Sequence, residues 1–294
     1  MKALDVKSLF KLMRPQQWFK SASVLFGVSV LLFNNGLSFD YLWRILLAIV
    51  SVLLLSSSVY VLNDIADFEK DKLHPIKKNR PIASSKVSIN QALLLFALLF
   101  LASFGMLYFL NPFLVLIGSL MIVNNLIYSF RPFRLKDIPV LDVLCAALNF
   151  SLRVLIGWYA ITDTVIYRIV LLFPFFIAGF LLSCKRLAEY DFLGSRAGEV
   201  RRVYKYYSEK SLYVSINVYF TLSILAYYFF ADIFNKLLFL IGPWFFLQMY
   251  WYKSFLKEGA SVVKKPEDVF VQKKFFTIMG GLFCLAWLLI VSFT

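Results

Sequence analysis

Nine apolar stretches, at residues 17–35, 41–62, 91–110, 112–130, 138–162, 165–184, 211–231, 235–255 and 275–293, are each long enough to cross a lipid bilayer. Inside hydrocarbon every backbone N–H and C=O must be paired within the chain, which leaves helices or a closed barrel. Runs of this length exceed the 9–11 or so residues of a barrel strand, so helices are expected. The predicted fold class is all-α: a polytopic membrane protein of nine transmembrane helices, forming one integral membrane domain over residues 1–294. The content of 61% hydrophobic residues agrees, being too high for a soluble domain. The 32 Phe and 16 Tyr suit lipid and its interfaces. Trp18, Lys20 and Ser21 interrupt the start of the first stretch, and Pro112 separates the third from the fourth. A charged N-terminus, with no small-residue cleavage pattern after the first apolar run, predicts no cleavable signal peptide.

Charge placement orients these helices. Of the 31 Lys and Arg, all but Arg44, Arg153, Arg168 and Lys236 fall on the N-terminal segment or on alternate loops, and so on one side of the membrane. The positive-inside rule makes that side cytoplasmic, with the N-terminus inside and the C-terminus outside. The same sorting accounts for most of the formal charge of +14, so basicity here does not call for nucleic acid. The bilayer is the partner it implies. Cys145, Cys184 and Cys284 stand singly in apolar stretches, without the spacing of a disulfide framework or metal site.

Chemistry enters directly after the second stretch, at Asn63-Asp64-Ile65-Ala66-Asp67-Phe68-Glu69-Lys70-Asp71. Acidic side chains at the mouth of a membrane helix are costly unless a cation neutralises them. Continued as a helix, Asn63, Asp64, Asp67 and Asp71 project at about 0, 100, 40 and 80 degrees, on one face. Three carboxylates and an amide so placed can hold Mg²⁺, and Mg²⁺ there suits a diphosphate. A solvated helix end is the plainer alternative. A calcium loop is excluded, because the alternating ligand spacing, central Gly and terminal Glu are missing.

The neighbouring loops on that side are basic. Lys72-Leu73-His74-Pro75-Ile76-Lys77-Lys78-Asn79-Arg80-Pro81 offers cations for phosphate oxygens, Arg80 foremost, with Lys77 and Lys78 equally readable as topogenic charge. His74, the one histidine, reads as a loop residue. Asn124, Asn125, Tyr128 and Ser129 end the fourth stretch, followed by Arg131, Arg134 and Lys136, and suggest an inward-facing cavity wall. Asp142, Asn149 and Arg153 form a stripe in the fifth, where a buried Arg153 requires a partner, either Asp142 or a bound anion. The sixth ends in Lys185-Arg186-Leu187-Ala188-Glu189-Tyr190-Asp191. Mixed signs there suit a site holding metal through Glu189 or Asp191 and phosphate through Lys185 or Arg186.

The NDxxDxxxD pattern with nine spans resembles the UbiA superfamily of intramembrane prenyltransferases. Members usually carry a second aspartate-rich motif, DxxxD, where this chain has Lys185-Arg186-Leu187-Ala188-Glu189. With Met13-Arg14-Pro15-Gln16-Gln17-Trp18-Phe19-Lys20, the 74–83 loop and Tyr128-Ser129-Phe130-Arg131, that departure is similar to the decaprenyl-phosphate phosphoribosyltransferase branch. The likeness covers about residues 13–210. Beyond Pro266-Glu267 the branch pattern has an Asp-Arg pair where this chain has Lys273-Lys274.

The resemblance implies an enzyme, a glycosyltransferase of cell-wall precursor synthesis. It would move a 5-phosphoribosyl group from phosphoribosyl diphosphate to a polyprenyl phosphate, with Mg²⁺, at the cytoplasmic face of the inner membrane. It assigns Asn63, Asp64, Asp67 and Asp71 to metal and diphosphate, the three aspartates being the catalytic set. Arg80, Tyr128, Lys185, Arg186 and Glu189 are assigned to donor phosphate and ribose, and Arg14, Gln17, Lys20 and Arg134 to the lipid phosphate. Two alternatives are a prenyltransferase using a prenyl diphosphate donor, and a lipid transporter. Transport fits less well, since no repeated halves are visible and the polar groups gather at one face.

Overall fold

The structure is a computed structural model that describes residues 5–35, 39–73, 77–233, 245, 247–250, 252 and 253. Every extended regular element among them is helical, and five helices are long and apolar enough to cross a membrane. The chain is thus an all-α, multi-pass membrane protein. The first seven expected spans fall on helices: α2 (Ser23–Asn35) after a 3₁₀ segment Pro15–Ala22, α3 (Phe39–Leu73), α4 (Ile89–Leu110), α5 (Phe113–Ser129), α6 (Leu141–Tyr159), α7 (Arg168–Leu193) and α9 (Glu209–Ile233). Short helices α1 (Val6–Leu12) and α8 (Ala197–Val200) complete the set. The span expected at 275–293, most of that at 235–255, the basic run 257–274, His74, Lys236 and Cys284 lie outside the described residues.

Two compact units are distinguishable. The first takes residues 1–28, 37–134 and 152–164; the second takes 29–36, 135–151 and 165–294. In the first unit α3 is the main element. Its 35 residues rise about 52 Å, against about 30 Å of hydrocarbon. The apolar run ends near Leu62, yet Ala66, Glu69, Lys70 and Lys72 are good helix formers with no Gly or Pro among 63–73, so the helix continues. That continuation carries the acidic motif. Small side chains let α4 approach α3: Ser103 Oγ, fully buried, donates to the Ser51 carbonyl at 2.8 Å. A Ser88–Gln91 capping box starts α4.

The tightest approach in this unit joins α2 to the second half of α6. A Cβ on Gly27 would stand 2.4 Å from the Val154 carbonyl oxygen, and one on Gly157 2.1 Å from that of Val24. Both positions therefore exclude any side chain. The interface packs into a core of Val24, Val52, Leu55, Leu114, Met121 and Ile156.

In the second unit α7 and α9 pack together, with the Tyr219 ring lying against Gly179. Phe180, Leu187, Leu212 and Ile216 fill the core between them. Gly194, at φ +52°, ends α7 and turns the chain into the loop that leads to Tyr204 and Tyr207.

Candidate active site

In the first unit the acidic end of α3 is compensated by arginine. The carboxylates lie on the last three turns of the helix, and Asp64 and Asp71 are buried there, so they need a cation or a donor. Three arginines from three segments supply it. Arg14 Nη2 donates to Asp64 Oδ1. Arg80 Nη1 lies between Asp64 Oδ1 at 3.0 Å and Asp71 Oδ2 at 2.6 Å. Arg134 Nη2 donates to Asp67 Oδ1 at 2.7 Å. Asn63 Oδ1 accepts from Ser129 Oγ at 2.6 Å. Asp64 and Asp71 are only 3% and 4% exposed, so ionisation without these partners would be very costly.

Local sequence explains how the arginines arrive. Trp18 Nε1 donates to Ser57 Oγ at 3.1 Å, docking the 3₁₀ segment on α3 and bringing Arg14 alongside, its guanidinium 5.3 Å from the Tyr60 ring centroid. Arg134 follows the end of α5 and donates from Nη1 to the Ser129 carbonyl at 3.1 Å. Arg14 and Arg134 both have positive φ, 52° and 42°, in a region side chains adopt at a cost. Two of the three arginines on the acidic face are thus held by strained backbone. Arg80 lies on ordinary turn backbone, its N–H donating to the Lys77 carbonyl at 2.9 Å.

All four donors expected to hold Mg²⁺ offer hard oxygens, the ligand type this ion prefers. Among the described residues, however, no three acidic side chains converge on one point. A cationic nitrogen already bridges Asp64 and Asp71, so the chemistry of the set fits a cation between these two oxygens. Arg14 and Arg134, expected at the lipid phosphate, touch the carboxylates of Asp64 and Asp67. Gln17 and Lys20 lie half-buried on the 3₁₀ segment that follows Arg14, and Tyr128 is half-buried on α5.

The second unit holds a separate polar cluster on α6, α7 and the 201–207 loop. Asp142, fully buried in the first turn of α6, accepts from Arg186 Nε at 2.7 Å and from Tyr207 Oη at 2.7 Å, with Arg201 Nη2 at 3.7 Å. Glu189 Oε2 accepts from Tyr204 Oη at 2.6 Å and from Arg186 Nη1 at 3.5 Å. Arg186 therefore joins the two carboxylates. Tyr207 Oη also accepts from the Val140 N–H at 2.8 Å, tying loop to helix. Burial first, then the Asp142 carboxylate, pushes the Tyr207 phenol up; burial and Glu189 do the same to Tyr204. Both phenols stay protonated and serve as donors. Lys185 is half-buried on the same helix, and Asp191 is exposed.

Arg153 finds a buried hydroxyl, Ser56 Oγ at 3.2 Å from its Nη2, while Asp142 is engaged by Arg186. Sequence reasoning did not single out Tyr204, Tyr207 or Arg201. Their signal was present: the loop interleaves tyrosines with Arg201, Arg202 and Lys205, and a buried Asp142 had to find donors.

A sequence profile of the UbiA prenyltransferase family matches residues 22–270. A decaprenyl-phosphate phosphoribosyltransferase of Mycolicibacterium smegmatis is 31% identical, over 70% of this chain and 64% of that protein. One of Mycobacterium tuberculosis is 26% identical, over 98% of this chain and 94% of that protein. The fold is similar to that of a UbiA homolog from Archaeoglobus fulgidus solved with GPP and Mg²⁺, at a TM-score of 0.66 and 18% identity, covering 97% of this chain and 99% of the other. The chain belongs to the UbiA prenyltransferase family.

Proposed function

We propose that this UbiA-family transferase moves a 5-phosphoribosyl group from phosphoribosyl diphosphate to a polyprenyl phosphate, releasing diphosphate. The observation that carries this reading is the carboxylate face of α3, where two buried aspartates share one bridging cationic group. Relatives named decaprenyl-phosphate phosphoribosyltransferase favour this donor over a prenyl diphosphate. So does the Lys185-Arg186…Glu189 sequence, which offers cations where a prenyl diphosphate site would present a second pair of aspartates.

In the reaction the bond from ribose C1 to the diphosphate oxygen breaks, and a bond from C1 to an oxygen of the lipid phosphate forms. A bound Mg²⁺ would supply neutralisation of the leaving diphosphate. Asn63, Asp64, Asp67 and Asp71 are the residues that would hold it. Arg80, beside those carboxylates, would take phosphate oxygens of the donor, and Arg134 those of the lipid phosphate. Lys185 and Glu189 are assigned to the phosphate and ribose of the donor, with Arg186 fixed between two carboxylates. Arg14, Gln17 and Lys20 are assigned to the lipid phosphate. The nucleophile is a phosphate oxygen already ionised at neutral pH, so no general base is needed. The positive-inside charge supports assigning this chemistry to the cytoplasmic face of the membrane.

A second reading keeps the same acidic face but uses a prenyl diphosphate donor. A 4-hydroxybenzoate octaprenyltransferase of Shewanella, 35% identical over 32% of this chain, supports it. Offering purified protein each donor separates the two. Diphosphate release with phosphoribosyl diphosphate and polyprenyl phosphate is the expected result; release confined to a prenyl diphosphate would reverse the assignment.

A further inference from the structure

Bridging by Arg80 goes beyond what a metal–diphosphate site requires. Its Nη1 occupies the space between Asp64 Oδ1 and Asp71 Oδ2, at 3.0 and 2.6 Å, and both carboxylates are withdrawn from water. A bare divalent ion using both aspartates must break the two charge-assisted hydrogen bonds from Arg80, compete with Arg14 at Asp64 Oδ1, and leave guanidinium groups beside a dication. A metal arriving with diphosphate brings its own acceptors, onto which the displaced guanidinium can turn. The neighbouring arginines are less able to do this. Arg14 lies near the Tyr60 ring, and both Arg14 and Arg134 are set by positive-φ backbone. Arg80 sits on a turn anchored by its N–H to Lys77 and by its carbonyl, which accepts from the Ser84 N–H at 2.8 Å. The exchange therefore needs only side-chain rotation.

We infer that Arg80 is an exchangeable counter-ion that makes the Asp64–Asp71 pair select a metal–diphosphate complex over the bare metal ion. This rests on the proposed reading of α3 as the metal–diphosphate face. The consequence is a coupling: diphosphate and metal each raise the other's affinity through Arg80, beyond their affinity in solution. Free cytosolic magnesium would not fill the site ahead of the donor.

Manganese, a paramagnetic substitute for magnesium, gives a binding readout independent of turnover. Purified protein in detergent is titrated with Mn²⁺ alone and with the preformed Mn²⁺–diphosphate complex, followed by electron paramagnetic resonance. Arg80→Gln is expected to bind bare Mn²⁺ about tenfold tighter than wild type or more, and the diphosphate complex more weakly, a change of opposite sign. Lys78→Gln removes the same charge from an exposed neighbour and should shift bare Mn²⁺ by less than about threefold, since exposed charges are screened. Asp64→Asn should lose Mn²⁺ in both backgrounds. Equal bare-ion affinity in wild type and Arg80→Gln, with loss in Asp64→Asn, overturns the counter-ion and leaves the metal face standing. So does tightening by Lys78→Gln as large as that by Arg80→Gln. Unchanged Mn²⁺ binding in Asp64→Asn overturns the metal reading itself. Should Arg80→Gln fail to fold, Arg80→Lys, which keeps the charge but loses the forked donors, is read in the same titration. Tightening, smaller in size, is expected there, and an affinity equal to wild type overturns the inference.

Discussion

At the scale of single residues, buried polar groups decide the chemistry through their partners. Asp67 is held by Arg134 and lies on the face proposed to bind metal. Asp67→Asn keeps the shape and removes the charge. Turnover with Mg²⁺ should fall at least about a hundredfold while the protein still inserts and folds, as measured by initial rate beside a size-exclusion profile. Near-normal turnover would remove Asp67 from the site. Tyr207→Phe tests the second cluster differently. It deletes a hydroxyl that serves Asp142 and the Val140 N–H, costing about 1–3 kcal/mol of stability. The Tyr207 pKa is raised in the folded state, so its contribution is complete below the ordinary phenol value of 10.0 and declines as pH rises past it. Unfolding in detergent should show a constant gap between wild type and Tyr207→Phe up to about pH 9, narrowing above pH 10. A gap that widened with pH would contradict that sign.

At the scale of elements, close packing and helix length set where those residues stand. Gly157→Ala puts a methyl group 2.1 Å from the Val24 carbonyl oxygen, which α2 can relieve only by moving. A loss of about 1–3 kcal/mol is expected, read as a lower melting temperature in detergent, and no loss would mean the two helices separate easily. Gly105, with open space around it, is the matched control. Hydropathy placed the first seven expected spans on helices, five of which are long and apolar enough to cross a membrane, while α2 and α5, at 13 and 17 residues, are shorter than the expected spans. It missed the true end of α3, since the apolar window closes near Leu62 while helix propensity runs on to Leu73. The acidic face was legible from the spacing of Asp64, Asp67 and Asp71. The arginine partners were not, because Arg14 lies 50 residues from Asp64 and Arg134 lies 67 from Asp67, separations that no local pattern encodes. Asp142 was likewise one of two partners open to Arg153, beside a bound anion, whereas an arginine 44 residues away takes it.

For the whole molecule, relatives named for two donor chemistries, phosphoribosyl and octaprenyl transfer, match this chain, so the substrate is decided by measurement. The claim most in need of a direct test is transfer of phosphoribose to lipid. Purified protein, Mg²⁺, phosphoribosyl diphosphate and a polyprenyl phosphate should yield a lipid whose mass exceeds that of the acceptor by one phosphoribosyl group, with an equal amount of diphosphate. Mass spectrometry of the extracted lipid reads this outright. Unmodified acceptor, together with a prenylated product when a prenyl diphosphate and an aromatic acceptor are supplied instead, would contradict it.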